Sequence, residues 1–122
     1  MKNLESKLQI EVVKWFKYNY PKLLIMSIPN GGHRNIITAS IMKAEGVLKG
    51  CPDLFIPFPT NGYAGLFVEM KAGKNTPTDA QIEVMNKLES FGYKCYVCNS
   101  FDSFVAAVQG YLHGKIKPLI NE

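Results

Sequence analysis

The chain has 122 residues, 47% of them hydrophobic, 11% aromatic and 20% charged; that is enough apolar material for one core and too little length for two sizeable domains, so one domain over residues 1–122 is expected. The formal charge of +4 is uneven: residues 1–50 hold 8 basic and 3 acidic groups, net +5, and residues 51–122 hold 6 and 7, net −1, which makes the first half the anion-facing one. No apolar run approaches the roughly 20 residues of a spanning helix, no signal-peptide core opens the chain, and Cys51, Cys95 and Cys98 lack framework spacing, so membrane and disulfide-scaffold classes are excluded and a cytoplasmic protein with reduced thiols is expected.

Residues 4–18 have helical periodicity, with Leu4, Leu8, Val12, Trp15 and Phe16 on one side and Lys7, Lys14 and Lys17 on the other. Pro21 closes this helix, and the apolar run Leu23 to Ile28 suits a buried strand stopped by Pro29-Asn30-Gly31-Gly32. A second helix is expected over 36–48, ending near Gly46 or Gly50. Leu54 to Phe58 and Leu66 to Met70 read as a hairpin across Pro59-Thr60-Asn61-Gly62. Thr78-Asp79-Ala80-Gln81 fits a capping box, opening an amphipathic helix through Ile82, Met85, Leu88 and Phe91 to Gly92. Lys94 to Cys98 is a further strand and Phe101 to Leu112 a last helix with Phe104, Val105, Val108 and Leu112 inward. The fold class is α/β, a mixed central sheet flanked by helices in the order αβ(α)ββαβα.

Three ionisable residues resist a purely structural placement: Asp53 at the start of one strand, and Glu69 and Lys71 in its hairpin partner. Side chains alternate along a strand, so Glu69 and Lys71 share a face with Phe67, while Leu66, Val68 and Met70 line the other. A charge in so apolar a setting is costly unless paired or metal-bound; the alternative is a Glu69–Lys71 ion pair on a solvated face. A two-residue Asn61-Gly62 turn would set Asp53 opposite Met70, on the wrong face, so pairing Asp53 with Glu69 or Lys71 demands an odd-numbered loop or a bulge. Oxygen ligands from Asp53 and Glu69, with the Met70 backbone carbonyl between the charged side chains, suit Mg²⁺ or Mn²⁺. Lys71 would then orient or deprotonate an attacking water or neutralise charge on a phosphate, as in metal-assisted phosphodiester hydrolysis.

Pro52-Asp53 followed by Glu69-Met70-Lys71 resembles the P-D-(D/E)-x-K nuclease signature. With a glutamate in the first helix, Gly50 two residues before Pro52-Asp53 and Gln81 opening the next helix, the chain is similar to the VRR-NUC branch, in particular to its stand-alone, phage-type members, over residues 4–112. It departs from them in having no Val-Arg-Arg tripeptide. The resemblance implies a DNA endonuclease using Mg²⁺ or Mn²⁺, selective for branched or junction DNA, leaving 5′-phosphate and 3′-hydroxyl ends and working as a homodimer in a host cytoplasm.

It also implies an acid from the first helix at the metal. On a wheel of about 100° per residue, Glu5 falls at about 140°, between Val12 at about 120° and Phe16 at about 160°, while Glu11 at about 20° lies at the edge of the apolar arc, which favours Glu5; a solvated first-turn glutamate is the alternative. The catalytic set is then Glu5, Asp53, Glu69, Lys71 and Gln81, the last being either a water- or phosphate-placing residue or simply half of a capping box. Lys7, Lys14, Arg34, Lys43 and Lys49 are candidate DNA-backbone contacts, with His33 and the Gly31-Gly32 amides beside Arg34. Cys95 and Cys98, three apart on a strand, point to opposite faces and belong to the packing rather than to a metal or redox pair. Trp15, Phe16 and Tyr20 read as core. The competing functional class is a catalytically inactive DNA-binding or partner-binding module of the same fold.

Overall fold

The computed structural model describes residues 2–29, 36–113 and 115. All five residues of strand Leu66–Met70 are buried, as expected of a central strand whose two faces are both covered. In chain order the elements are α1 (Lys2–Asn19), β1 (Met26–Ser27), α2 (Ile36–Ala44), β2 (Leu54–Ile56), β3 (Leu66–Met70), α3 (Asp79–Ser90), β4 (Lys94–Cys98) and α4 (Phe101–Leu112). This is the expected order, bracketed helix included. The four strands lie in the order β1-β2-β3-β4, antiparallel across the first two junctions and parallel between β3 and β4. The parallel pair is joined through α3, whose length suits a crossover.

One face of the sheet is the hydrophobic core. Leu54 and Ile56 of β2, Leu66, Val68 and Met70 of β3, and Cys98 of β4 meet Val12, Phe16 and Tyr20 of α1 and its end and Phe104, Val108, Tyr111 and Leu112 of α4. Trp15 packs edge-on against Tyr20, Phe101 and Phe104. On the opposite face Phe55 stacks on Phe67 with ring centroids 4.2 Å apart, and Tyr93 meets both rings edge-on. Cys95 lies there too, its thiol 3.7 Å from the Met85 carbonyl of α3, whereas the Cys98 thiol is in the core; the two cysteines do face opposite ways.

Several expectations need correction: Leu4 is exposed rather than on a buried side of α1, α2 ends at Ala44 rather than at 48, and β2 at Ile56 rather than Phe58. The run from Leu23 to Ile28 makes only a two-residue strand, and both of its residues are exposed; Leu23 and Ile25 reach the core from irregular backbone instead. Apolar content alone does not decide pairing, and an edge position leaves alternate side chains in water. In α3, Met85 is buried as expected, but Ile82 and Phe91 are 45% and 68% exposed, so its apolar stripe is only partly covered. The other caps behave as composed: Thr78 and Gln81 form the full capping box. A second box, Ser100 with Ser103, opens α4.

Candidate active site

The β2–β3 register determines what faces what. Leu54 pairs with Val68, Phe55 with Phe67 and Ile56 with Leu66, so one step further Asp53 stands opposite Glu69. The turn itself is the two-residue one, with Asn61 and Gly62 at φ 53° and 84° and Thr60 bridged to Tyr63. That bridge alone would have sent Asp53 to Met70. Between it and the strands, three residues (Pro57, Phe58, Pro59) oppose two (Ala64, Gly65), and this extra residue restores Asp53 to the face of Glu69. The two prolines carry no N–H to pair, which suits them to a bulge.

Asp53 is held by the Met70 backbone N–H, which donates to its Oδ2 at 2.7 Å. The Asp53 backbone carbonyl in turn accepts from the Ile28 N–H at 2.8 Å. Glu69, only 2% exposed, has one oxygen engaged and one not. Its Oε2 accepts from Gln81 Nε2 at 3.0 Å and lies 3.6 Å from Lys71 Nζ, while its Oε1 is buried without a hydrogen-bond partner. The ion pair therefore exists, but not on a solvated face, since the Lys71 side chain is itself 11% exposed. Burial, then the neighbouring Asp53 charge, push the Glu69 carboxyl up to about 8 against the pull of Lys71. Burial also raises Asp53, opposed by the Met70 N–H and the Lys71 charge. Two neighbouring carboxyls in so dry a setting each resist ionising.

Gln81 owes its place to the backbone. Its Oε1 accepts from the Thr78 N–H at 2.9 Å, its own N–H donates to Thr78 Oγ1 at 3.2 Å, and its remaining amide end is thereby turned toward Glu69. The two readings of Gln81 are thus joined in one geometry, with a carboxylate rather than a water as the partner. Gly50 allows α3 to come this near: at φ +91°, a Cβ on it would stand 2.7 Å from the Ala80 carbonyl oxygen and 3.1 Å from the Gln81 nitrogen. The sequence marked Gly50 only by its place before Pro52-Asp53; the contact with the start of α3 depends on tertiary proximity. Cys51, half-buried, was overlooked for the same reason. Burial, then Glu69 and Asp53, push its thiol up.

A family model for the VRR-NUC domain matches residues 2–102. The chain belongs to the VRR-NUC domain family. A solved structure titled "VRR_NUC domain protein" is 29% identical and superposes with a TM-score of 0.78, covering 93% of this chain and 90% of that one. A second, titled "VRR_NUC domain", shares the fold at 19% identity and a TM-score of 0.60, over 88% and 96% of the two chains. No curated protein matches the sequence. VRR-NUC is a nuclease domain, and the function of this chain is of nuclease type.

In this VRR-NUC chain the structure brings Asp53, Glu69, Lys71 and Gln81 together. Glu5, in the half-buried first turn of α1, is near enough that its charge raises both Asp53 and Glu69, whereas Glu11 is exposed. Among the described residues no three His, Cys, Asp or Glu side chains converge closely enough to hold a metal ion; the close pair is Asp53 and Glu69. Met70 meets this pair through its backbone nitrogen. Lys7, Lys43 and Lys49 are exposed at the surface, and Gly31, Gly32, His33 and Arg34 lie outside the described residues. Burial pushes the Cys95 and Cys98 thiols up to about 12 and about 11, which keeps them protonated and unreactive. No described helix is long and apolar enough to cross a membrane.

Proposed function

We propose that the chain is a DNA endonuclease of the PD-(D/E)XK type, dependent on Mg²⁺ or Mn²⁺. The single observation that carries this reading is Glu69 Oε1, a carboxylate oxygen buried beside Asp53 with no hydrogen-bond partner. One unpartnered carboxylate oxygen beside a second carboxylate fits a hard divalent cation. Asp53 and Glu69 would hold the ion, with the Met70 carbonyl and Glu5 completing its surroundings. When bound, the ion supplies Lewis-acid activation of the phosphodiester and of water.

The residues do the rest. Gln81 keeps Glu69 in one rotamer. Lys71, beside Glu69, orients the attacking water and offsets the charge that builds on the phosphate. Water adds to phosphorus as the bond to the 3′ oxygen breaks, leaving 5′-phosphate and 3′-hydroxyl ends. Lys7, Lys43, Lys49 and Arg34 supply backbone contacts from the basic half. With one such site among the described residues, cutting both strands of a branched or four-way junction takes a two-fold dimer, as expected of a phage-type member working in a host cytoplasm.

The test is to incubate plasmid and four-way-junction DNA with the protein and Mg²⁺ or Mn²⁺, beside EDTA and the variants Asp53→Ala, Glu69→Ala and Lys71→Ala. Junction cleavage by the wild type alone, with two chains per junction in sedimentation, is the expected result. Cleavage surviving all three substitutions would sink the site. DNA binding with no cleavage under either metal would establish the inactive module instead, a reading favoured by the fact that only two carboxylates meet closely among the described residues.

A further inference from the structure

Helix α1 has a second face that the core covers only in part, with Val13 packed at the core's edge and Ile10 exposed. Ile10, Val13 and Lys17 follow one another at helical spacing, about 60° or more around the helix from Val12 and Phe16, which point into the core. With Lys14 beside them and Ser27 of the edge strand opposite, they line a groove of about 500 Å³. Glu5, the helix acid of the proposed site, stands at one end of this groove. Lys14 and Lys17 stand about 14 and 18 Å further along the helix axis.

Charge therefore changes sign along the groove, with Glu5 at one end and two ammonium groups at the far end, over an apolar floor on which Ile10 is 57% exposed. The volume is that of a small-ligand pocket and is far too small for a duplex.

We infer that the groove receives a single-stranded nucleic-acid segment continuous with the strand being cut, its phosphates on Lys14 and Lys17 and its bases or sugars against Ile10 and Val13. Apolar surface under unstacked bases and cations along the backbone is the usual pairing for single strands. The inference rests on the nuclease reading for its direction, but its test requires no cleavage.

Binding is measured by anisotropy of a labelled oligothymidylate of about ten nucleotides and of a blunt duplex of the same length, in EDTA, across a series of KCl concentrations. For the double variant Lys14→Ala/Lys17→Ala, the slope of log K against log[salt] on the single strand falls by about 1.4, two phosphates at about 0.7 each, with a smaller loss on the duplex. Ile10→Glu weakens the same complex without altering the sedimentation of the free protein, and Lys87→Ala on α3 leaves the slope unchanged. An unaltered slope in the double variant overturns the proposal. So does an equal loss on the duplex, or a Lys87→Ala effect as large as one groove lysine's. A dimer split by Ile10→Glu while oligothymidylate binding is retained would assign the groove to a second copy of the chain and likewise overturn it. Oligothymidylate binding through the groove with no cleavage by the wild type would retire the nuclease reading and leave the groove in place.

Discussion

The two faces of β3 are both dry but chemically opposite. Leu66, Val68 and Met70 are fully buried against α1 and α4, as the core of any small α/β domain requires. On the other side Phe67 is stacked on Phe55, and the next residue on that face is Glu69, 2% exposed and with an oxygen unsatisfied. Leaving a carboxylate oxygen without a partner in such a place costs stability. Folding alone would favour an apolar residue there, so the core face accounts for stability and the charged face is where the proposed chemistry would sit.

Substitutions on the two faces should therefore have opposite consequences. The largest effect is on catalysis: Lys71→Ala or Glu69→Gln lowers DNA cleavage by about 10²–10⁴-fold in a nicking assay while the protein still melts cooperatively. Leu66→Ala, three residues before Glu69 and on the opposite face of the strand, costs about 2–5 kcal/mol of stability in urea and leaves the metal affinity of the folded fraction intact. Should Glu69→Gln destabilise as much as Leu66→Ala, the division between the faces is wrong.

Gly50→Ala connects the two effects. The new Cβ would meet the Ala80 carbonyl at 2.7 Å from a backbone held at φ +91°, so a loss of about 2–4 kcal/mol is expected in chemical denaturation. Gly62→Ala, with nothing within 4 Å of the added carbon, loses only about 1 kcal/mol. Equal losses would show that the close approach to α3 carries no weight.

Acidity sharpens the comparison further. Glu69 ionises near its ordinary value of 4.5 when unfolded and at about 8 when folded, so between these pH values the native state binds the extra proton and stability falls as pH rises. The metal-free protein should melt at a lower temperature at pH 8.5 than at pH 5.5, and Glu69→Gln should flatten the curve. The smallest effect expected is that of Thr78→Ala. Removing this cap costs about 1 kcal/mol and frees Gln81, weakening Mn²⁺ binding a few-fold.

Much of this was legible beforehand because it was local. The capping box at Thr78, the strand and helix near the C-terminus, and the grouping of Glu69 and Lys71 on one face follow from residue type and spacing. The need for a bulge was also legible, since Asp53 could not otherwise join them, but its place at Pro57-Phe58-Pro59 was not. What stayed hidden was non-local. The short, exposed β1 depends on its position at the sheet edge, and the second capping box escaped notice because Ser103 replaces the usual Glu or Gln. The Gly50 contact with Ala80, the nearness of Cys51 and the groove beside α1 exist only once distant segments meet.

The central claim is that the buried acids of β2 and β3 form a cation site. Calorimetric titration of Mn²⁺ into the protein at neutral pH in two buffers of different ionisation enthalpy tests it most directly. Saturable binding with an enthalpy that depends on the buffer is expected, because Glu69 must release its proton to the solution, and the binding should vanish in Asp53→Ala and Glu69→Gln. Absence of binding by the wild type, or equal binding by both variants, would contradict the account.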